Sequence, residues 1–145
     1  MARIEESVEI NCPAGKVFPF TTDAGRWPDW QSFVVSSEQT SPGAVGVGAT
    51  FSGVVRLLGL SMKWTGKATE FQPDRSWAKA ITSGGFKIVE HLVCDDVDGR
   101  TRFTIVFDIE AGGFMRLVSP LLVGAMRRDT KKSLVTLKGI LEAQA

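Results

Sequence analysis

The sequence predicts an α+β fold in which one long C-terminal helix packs against an antiparallel sheet. Between residues 114 and 143, apolar residues recur at spacings of three and four, which is typical of an amphipathic helix. Upstream, alternating apolar and polar runs are separated by turns that contain glycine, proline or aspartate, which is typical of strands joined by hairpins. No second helix of comparable length is indicated, so the apolar stripe must be buried against a sheet.

The long helix is expected to bury an apolar stripe and to expose a basic cluster. The stripe comprises Leu117, Leu121, Leu122, Ala125, Leu134, Leu137, Ile140 and Leu141. The basic cluster comprises Arg127, Arg128, Lys131 and Lys132. A solvated face is the ordinary role of such a cluster, and contact with an anionic lipid or a partner is the alternative. Pro120 indicates that the helix begins at about Ser119, because proline is tolerated in a first turn.

Length, composition and charge indicate one globular domain, residues 1–145. The chain has 43% hydrophobic and 23% charged residues, which is ordinary for a domain with one core. A net charge of +1 is too small to attract nucleic acid electrostatically, so no nucleic-acid partner is expected. No apolar run reaches the about 18 residues of a membrane span, so stable membrane insertion is not expected either. The first residues are acidic where a signal peptide would be basic, which favours a cytoplasmic location.

The cysteines and the single histidine argue against a metal site and against nucleophilic catalysis. Cys12 and Cys94 have no CxxC spacing and are expected to be free thiols, and no metal site or cofactor is predicted. No GxSxG motif accompanies any serine. His91 and Cys94 would point to opposite faces of one strand, so they cannot form a catalytic pair.

The N-terminal part predicts one strand, two short helices and a second strand. The first strand covers residues 4–10, where apolar and polar residues alternate. A helix then starts at Pro13 and is limited by Pro19, and a second helical turn has Asp23 as its N-cap and ends at residues 28–30. The second strand covers residues 33–38, and the glycine-rich loop 41–48 lacks a phosphate-binding pattern.

A meander of hairpins follows, and its first turn is at Leu58-Gly59. The pairs predicted by that turn are Leu57–Leu60, Val55–Met62 and Gly53–Trp64. Opposed residues share one face of a sheet, so the turn and the alternation agree on a single apolar face. Gly53 would leave room for the Trp64 ring. The facing of strand 76–82 stays open, because Trp77 and Ile81 favour one parity whereas the alanines between them favour the other.

The hairpin with its turn at Val97-Asp98 places a carboxylate on the apolar face. The predicted pairs are Asp96–Gly99, Leu92–Phe103, Glu90–Ile105 and Ile88–Phe107. Glu90 would therefore point inward and His91 outward. A one-residue bulge in the turn would exchange these facings and bring His91 inward.

Two interpretations of Glu90 remain open. An isolated carboxylate among apolar side chains has a raised pKa, and such a group can act as a general acid or base or can anchor a ligand hydroxyl. The ordinary alternative is that Glu90 pairs with an inward cation such as Lys79, or that it lies near a wet opening.

Several segments accompany this order of strand, two short helices, six-stranded meander and long helix. They are NCPAGKVF at 11–18, RWPDW at 26–30, GRTRF at 99–103 and LVTLK at 134–138. Together they resemble the START-like superfamily (SRPBCC), specifically its polyketide cyclase/dehydrase and lipid-transport branch. The resemblance implies a helix-grip fold, in which a curved antiparallel sheet of about seven strands wraps around the C-terminal helix and leaves a deep cavity.

The resemblance implies that the cavity binds or transports a small hydrophobic ligand, such as a lipid, a polyketide or an aromatic compound. The expected wall residues are Phe51, Val55, Met62, Trp64, Ile88, Glu90, Leu92, Phe103, Phe107, Leu117 and Leu121. Residues 114–118 would form a mobile entry segment, and the C-terminal half of the helix would be fixed to the sheet. The alternatives are a cyclase or dehydratase that uses Glu90 as acid and base, and an interaction module that uses the basic helix face.

Overall fold

The computed structural model describes residues 2–144, which form a seven-stranded antiparallel sheet and one long helix packed against it. The strands are β1 (Ala2–Ile10), β2 (Val34–Gln39), β3 (Thr50–Leu57), β4 (Leu60–Gln72), β5 (Ser76–Ser83), β6 (Phe86–Val97) and β7 (Arg100–Ala111). The helices are α1 (Ala14–Thr22), α2 (Trp27–Trp30) and α3 (Met115–Ala143), with a 3-10 turn (Ala24–Arg26) before α2. The strand order is β1-β7-β6-β5-β4-β3-β2. The predicted helix-grip fold is confirmed.

The short helices after β1 follow the prediction in their caps but not in their ends. The Asp23 carboxylate accepts a hydrogen bond of 3.1 Å from the Gly25 N–H, as an N-cap should. Pro19 does not end α1, which continues to Thr22, and the hydroxyl groups of Thr21 and Thr22 donate to backbone carbonyls within the helix. Residues 28–30 do not end the second turn either, since they belong to α2. Pro28 lies in the first turn of α2, where its missing N–H loses no bond.

The β3–β4 hairpin has the predicted register. The observed pairs include Leu57–Leu60, Val55–Met62 and Gly53–Trp64. Leu58 and Gly59 have φ values of 53° and 78°, which is the left-handed conformation that a tight two-residue hairpin turn requires. The alternation and the turn therefore gave independent and correct information about this hairpin.

The predicted register of the β6–β7 hairpin is wrong by two residues. The turn is Asp98-Gly99, with φ values of 54° and 84°, rather than Val97-Asp98. A β-branched valine disfavours positive φ, whereas Asp-Gly is a preferred sequence for this turn. The pairs observed in place of the predicted ones are Val97–Arg100, Leu92–Ile105, Glu90–Phe107 and Ile88–Ile109. Because the side-chain period of a strand is two, the shift leaves every predicted facing unchanged.

The structure also settles the facing of β5. Trp77 and Lys79 are buried on the inner side, and Ile81 shares their parity, whereas Ala80 is exposed. Trp77 and Ile81 thus indicated the correct face. The buried lysine between them obscured the alternation, because a charge at an inward position breaks the apolar pattern.

The helix α3 begins earlier than predicted. It starts at Met115 rather than about Ser119, and residues 114–118 are not a separate segment, because Pro120 is accommodated in its second turn. This first part of the helix is docked on the β5–β6 turn. The Gly112 N–H donates to the Gly85 carbonyl at 2.9 Å, and the Met115 side chain lies directly over Gly85.

The C-terminal half of α3 is fixed to the end of β1. The Lys138 ammonium donates to the Glu9 carbonyl at 2.7 Å and forms an ion pair of 2.8 Å with Glu142. The Glu142 carboxylate in turn accepts a hydrogen bond of 2.8 Å from the Asn11 N–H. Leu137 and Leu141 are buried beneath these contacts. Within residues 2–144, no helix combines the length and the hydrophobicity that crossing a membrane requires.

Gly53 provides a test of the packing between β2 and β4. A Cβ atom at this position would overlap the Ser36 carbonyl oxygen and lie 2.9 Å from the Trp64 Nε1 atom. We therefore expect Gly53→Ala to lower the free energy of unfolding by about 3 kcal/mol, as overpacking does. Urea denaturation measures the change. Gly46→Ala is the matched control, because a Cβ there meets nothing within 4 Å and φ is not positive, and equal effects of the two substitutions would contradict the packing argument.

The buried thiols provide a second test. Burial raises the pKa of Cys94 to about 12, and the nearby Asp95 and Asp74 charges add to the effect. A raised pKa keeps the thiol protonated at pH 8, and Cys12 is only 4% exposed, so neither should react with a disulfide reagent in the folded protein. We expect no thiol to be titrated by dithiobis-nitrobenzoate at pH 8, and both to be titrated in guanidinium chloride. Rapid labelling of the folded protein would contradict this.

Candidate functional site

A cavity of about 70 Å³ lies between the sheet and the N-terminal half of α3. Its walls come from one end of the sheet, where β3 turns into β4, β5 turns into β6, and β7 leads to α3. The wall residues are Trp27, Gln31, Phe33, Val34, Val55, Leu57, Met62, Trp64, Lys79, Ile81, Ser83, Phe86, Ile88, Glu90, Phe107, Ile109, Leu122, Val123 and Met126. Apart from one lysine–glutamate pair, one amide and one hydroxyl, these walls are aliphatic or aromatic.

Aromatic side chains fill the opposite end of the interior. The Trp27 and Phe51 ring centroids are 5.2 Å apart, and the Trp30 ring packs edge-on against Phe103 at 5.9 Å. The indole N–H of Trp27 donates to the Thr21 carbonyl at 2.8 Å, which fixes the orientation of the ring. The segment that carries α1 and α2 therefore packs one end of the space between sheet and helix, and the cavity occupies the other.

Six of the predicted wall residues line this cavity. They are Val55, Met62, Trp64, Ile88, Glu90 and Phe107. Phe51, Leu92 and Phe103 also face inward, but they lie in the aromatic end and are at most 2% exposed, so they belong to the packed core. The alternation of a strand shows which side a residue faces, but it does not show which end of the sheet remains open. A role of these residues in binding stays a prediction.

The two wall residues predicted on the long helix are wrong. Leu117 and Leu121 are 76% and 68% exposed and point away from the sheet. The helix contributes Leu122, Val123 and Met126 instead. Residues 121–123 are all apolar, so the spacing is compatible with two helix faces that differ by a rotation of about one residue. The docking of the first turn selects the face that carries Leu122 and Val123.

Glu90 forms an ion pair with Lys79 at the inner end of the cavity. The Lys79 Nζ atom lies 3.0 Å from Glu90 Oε1, and both side chains are 3% exposed. The two residues are directly opposed on β5 and β6, so the register of the sheet brings them together. Of the two interpretations of Glu90, the pair with Lys79 is the one observed. His91 points outward as predicted, with its Nε2 atom 3.8 Å from the exposed Glu70 carboxylate.

The Lys79 ammonium is surrounded by ring faces. It lies 3.6 Å from the Trp27 ring centroid, 4.8 Å from that of Trp77 and 5.8 Å from that of Phe51. Desolvation lowers the pKa of Lys79 below its usual range, and the Glu90 charge opposes this change. The charge is thus stabilised by one carboxylate and by cation–π contacts in place of water.

The second carboxylate oxygen of Glu90 has no such partner. Within residues 2–144, no donor reaches the buried Oε2 atom. A carboxylate can accept about four hydrogen bonds, and a buried oxygen that accepts none is uncommon in folded proteins. Among the wall residues, Glu90 Oε2 is thus an open acceptor, and the indole Nε1 of Trp64 is a buried donor that has no partner among residues 2–144 either.

Some wall residues were missed by sequence reasoning although a signal existed. Ile81, Phe86 and Ile109 share the inward parity, so extending the predicted face to the ends of the strands would have found them. Trp27 and Gln31 follow from how the short helices dock, and the local sequence carries no signal for that. Among residues 2–144, no group of three His, Cys, Asp or Glu side chains could hold a metal ion.

The fold is that of a helix-grip protein, and the walls of its cavity are mostly apolar. A family model described as polyketide cyclase/dehydrase and lipid transport matches residues 1–142. The chain belongs to this family, as the sequence segments suggested. No curated protein matches it in sequence.

Solved structures share the fold at low sequence identity. The Zhui aromatase/cyclase from Streptomyces sp. R1128 is 18% identical, with a TM-score of 0.82 over 99% of this chain and 94% of that one. The protein TTHA0849 from Thermus thermophilus is 17% identical, with a TM-score of 0.83 over 99% of both chains. A START superfamily protein from Mycobacterium smegmatis is 15% identical, with a TM-score of 0.79 over 99% of both.

The buried ion pair predicts strongly non-additive effects of substitution. Lys79→Met or Glu90→Leu alone should lower the free energy of unfolding by about 3–5 kcal/mol, because each leaves an uncompensated buried charge. The double substitution should recover most of this loss, since two apolar side chains of similar size need no counter-charge. Urea denaturation of the four proteins in a double-mutant cycle measures the coupling. Simple addition of the two single effects would show that the charges do not depend on each other.

Proposed function

We propose that this protein binds a small hydrophobic molecule in the cavity between the sheet and the N-terminal half of α3. The observation that carries the proposal is the composition of the cavity wall, which is apolar except for one ion pair and two small polar groups. Small-molecule sites usually have this form, with apolar walls and a few polar groups that orient the ligand. The family description, which includes lipid transport, supports the same conclusion.

The cavity must expand when a ligand enters. Its volume of about 70 Å³ is below the roughly 300–1,000 Å³ of typical ligand sites. Met62 and Met126 lie in the wall, and methionine side chains change shape at low energetic cost. Val55, Met62, Ile81 and Ile88 are only half-buried, which places the thinnest part of the wall at the end of the sheet that faces the start of α3. We expect the ligand to enter there.

A tryptophan in place of a cavity methionine should block binding. Met126 is 6% exposed and lines the cavity, so Met126→Trp fills the space that a ligand would occupy. We expect the affinity for the uncharged fluorescent probe N-phenyl-1-naphthylamine to fall at least about tenfold, which corresponds to about 1.4 kcal/mol. Leu121→Trp is the matched control, because it places the same ring on the exposed side of the same helix and should leave binding unchanged.

Native mass spectrometry of protein purified from its own host tests the proposal without a chosen probe. A co-purified hydrophobic molecule should accompany the unsubstituted protein and the Leu121→Trp variant but not Met126→Trp. Circular dichroism confirms that each variant is folded. Equal probe binding by all three proteins would show that the ligand does not occupy this cavity.

An enzyme of the cyclase or dehydratase type is the second candidate function. The observation in its favour is that Glu90 is one of the residues that line the space in which a substrate would fold. The contact with Lys79 weakens it, because the carboxylate is already engaged by a cation. In this case Glu90→Gln should retain ligand affinity and abolish turnover of a polyketide-like substrate. Absence of turnover by the unsubstituted protein would remove the basis for this candidate.

A further inference from the structure

We infer that the ligand is an uncharged, mostly apolar molecule that carries a hydroxyl group, of which a phenol is the simplest kind, and that this hydroxyl donates a hydrogen bond to Glu90 Oε2. The inference rests on the proposed function and specifies the chemistry of the ligand. Three observations support it: the open acceptor, the neutrality of the ion pair, and the arrangement of polar and apolar groups along the cavity.

Glu90 lines the cavity, and its open acceptor has no donor among residues 2–144. Glu90 is 2% exposed, and no donor among residues 2–144 reaches its Oε2 atom, whereas Oε1 lies 3.0 Å from the Lys79 ammonium. Its neighbour across the other strand is Phe107, whose ring has no hydrogen-bond donor. A ligand that brings a donor satisfies Oε2, and a ligand without one leaves this oxygen desolvated. Such unsatisfied groups are the main source of discrimination at polar positions of a binding site.

The ion pair excludes charged head groups. Lys79 and Glu90 already neutralise each other, with both side chains removed from water. A carboxylate on the ligand would place a second anion beside Glu90, and a ligand ammonium would place a second cation beside Lys79. Either charge would be buried among apolar walls without a partner of its own. An uncharged hydroxyl adds a donor and no charge.

The position of the pair predicts the orientation of the ligand. Along the strands, the pair lies between the aromatic end of the interior and the residues that line the cavity, so it forms the inner end of the site. Trp27, Trp64 and Phe107 supply flat walls near this end. The hydroxyl end of the molecule would therefore enter first, and the apolar remainder would lie towards α3 and the half-buried rim.

A pair of isosteric probes tests this inference. 2-Naphthol and 2-methylnaphthalene have nearly the same shape and differ in one hydroxyl in place of one methyl group. We expect the unsubstituted protein to bind 2-naphthol about 10- to 100-fold more tightly, which is the range for a hydrogen bond to a charged acceptor. Titration calorimetry measures both affinities at pH 7, where the naphthol is protonated.

The double variant Lys79→Met with Glu90→Leu serves as the matched comparison. It removes the acceptor together with its counter-charge, and circular dichroism and urea denaturation establish that it is folded. We expect 2-methylnaphthalene to bind to it at least as tightly as 2-naphthol, so that the preference disappears or reverses. Retention of the naphthol preference in the double variant would place the hydroxyl elsewhere and overturn the inference.

The outcomes separate this inference from the proposed function. If the two probes bind the unsubstituted protein equally and Met126→Trp abolishes both, the cavity binds apolar ligands and the role of Glu90 as an acceptor is wrong. If neither probe binds, the proposed function fails and the inference fails with it.

Discussion

The packing of Trp27 divides the interior of this protein into a filled end and an open end. Its indole N–H is bonded to the Thr21 carbonyl, so the ring cannot turn freely. One side of the ring contacts the aromatic cluster through Phe51 and Trp77, and the ring also lies against Trp64 in the wall of the cavity. A long helix over a curved sheet leaves more space than one layer of side chains can fill. The segment that carries the short helices packs one end of this space, and the cavity lies at the other end.

The same ring allows a charge pair to be buried at the boundary between the two ends. Removing a lysine and a glutamate from water costs several kcal/mol per ion, and one mutual contact rarely offsets that. Here the ammonium of Lys79 gains the faces of Trp27 and Trp77 in addition to Glu90, but the carboxylate gains only the ammonium. The two charges are therefore stabilised unequally. The ammonium contacts a carboxylate and two ring faces, whereas one oxygen of the carboxylate has no partner among residues 2–144. Replacing a buried ion pair by two apolar residues of similar size is often neutral or stabilising, so stability alone does not explain this pair, and the proposed ligand hydroxyl would give it a role.

The sequence predicts correctly those features that depend on the alternation of side chains along a strand. It fails for features that depend on packing between distant segments. Facing has period two, so Glu90 was placed inward although the register of its hairpin was wrong by two residues. The partner of Glu90 was named only as a possibility, because the facing of the strand that carries Lys79 was open. The helix stripe was misjudged at Leu121, since three consecutive apolar residues fit either rotation of α3. The separation of the inward residues into cavity and core depends on Trp27, which belongs to neither of these periodic patterns.

The two halves of α3 are attached in different ways, and this bears on how a cavity of about 70 Å³ could admit a ligand. The C-terminal half is tied to the end of β1 by two polar contacts, from Lys138 to the Glu9 carbonyl and from the Asn11 N–H to Glu142, and by the buried leucines beneath them. In the N-terminal half, residues 115–126 are held by apolar contacts, and the first side-chain hydrogen bond to the sheet within residues 2–144 is that of Arg127 to the Arg3 carbonyl at 3.2 Å. Pro120 also removes a helical bond in the second turn. A segment with fewer hydrogen bonds and more exposed apolar surface opens at lower free energy. Expansion of the cavity is therefore expected at the start of the helix, with the end of the helix as the fixed point.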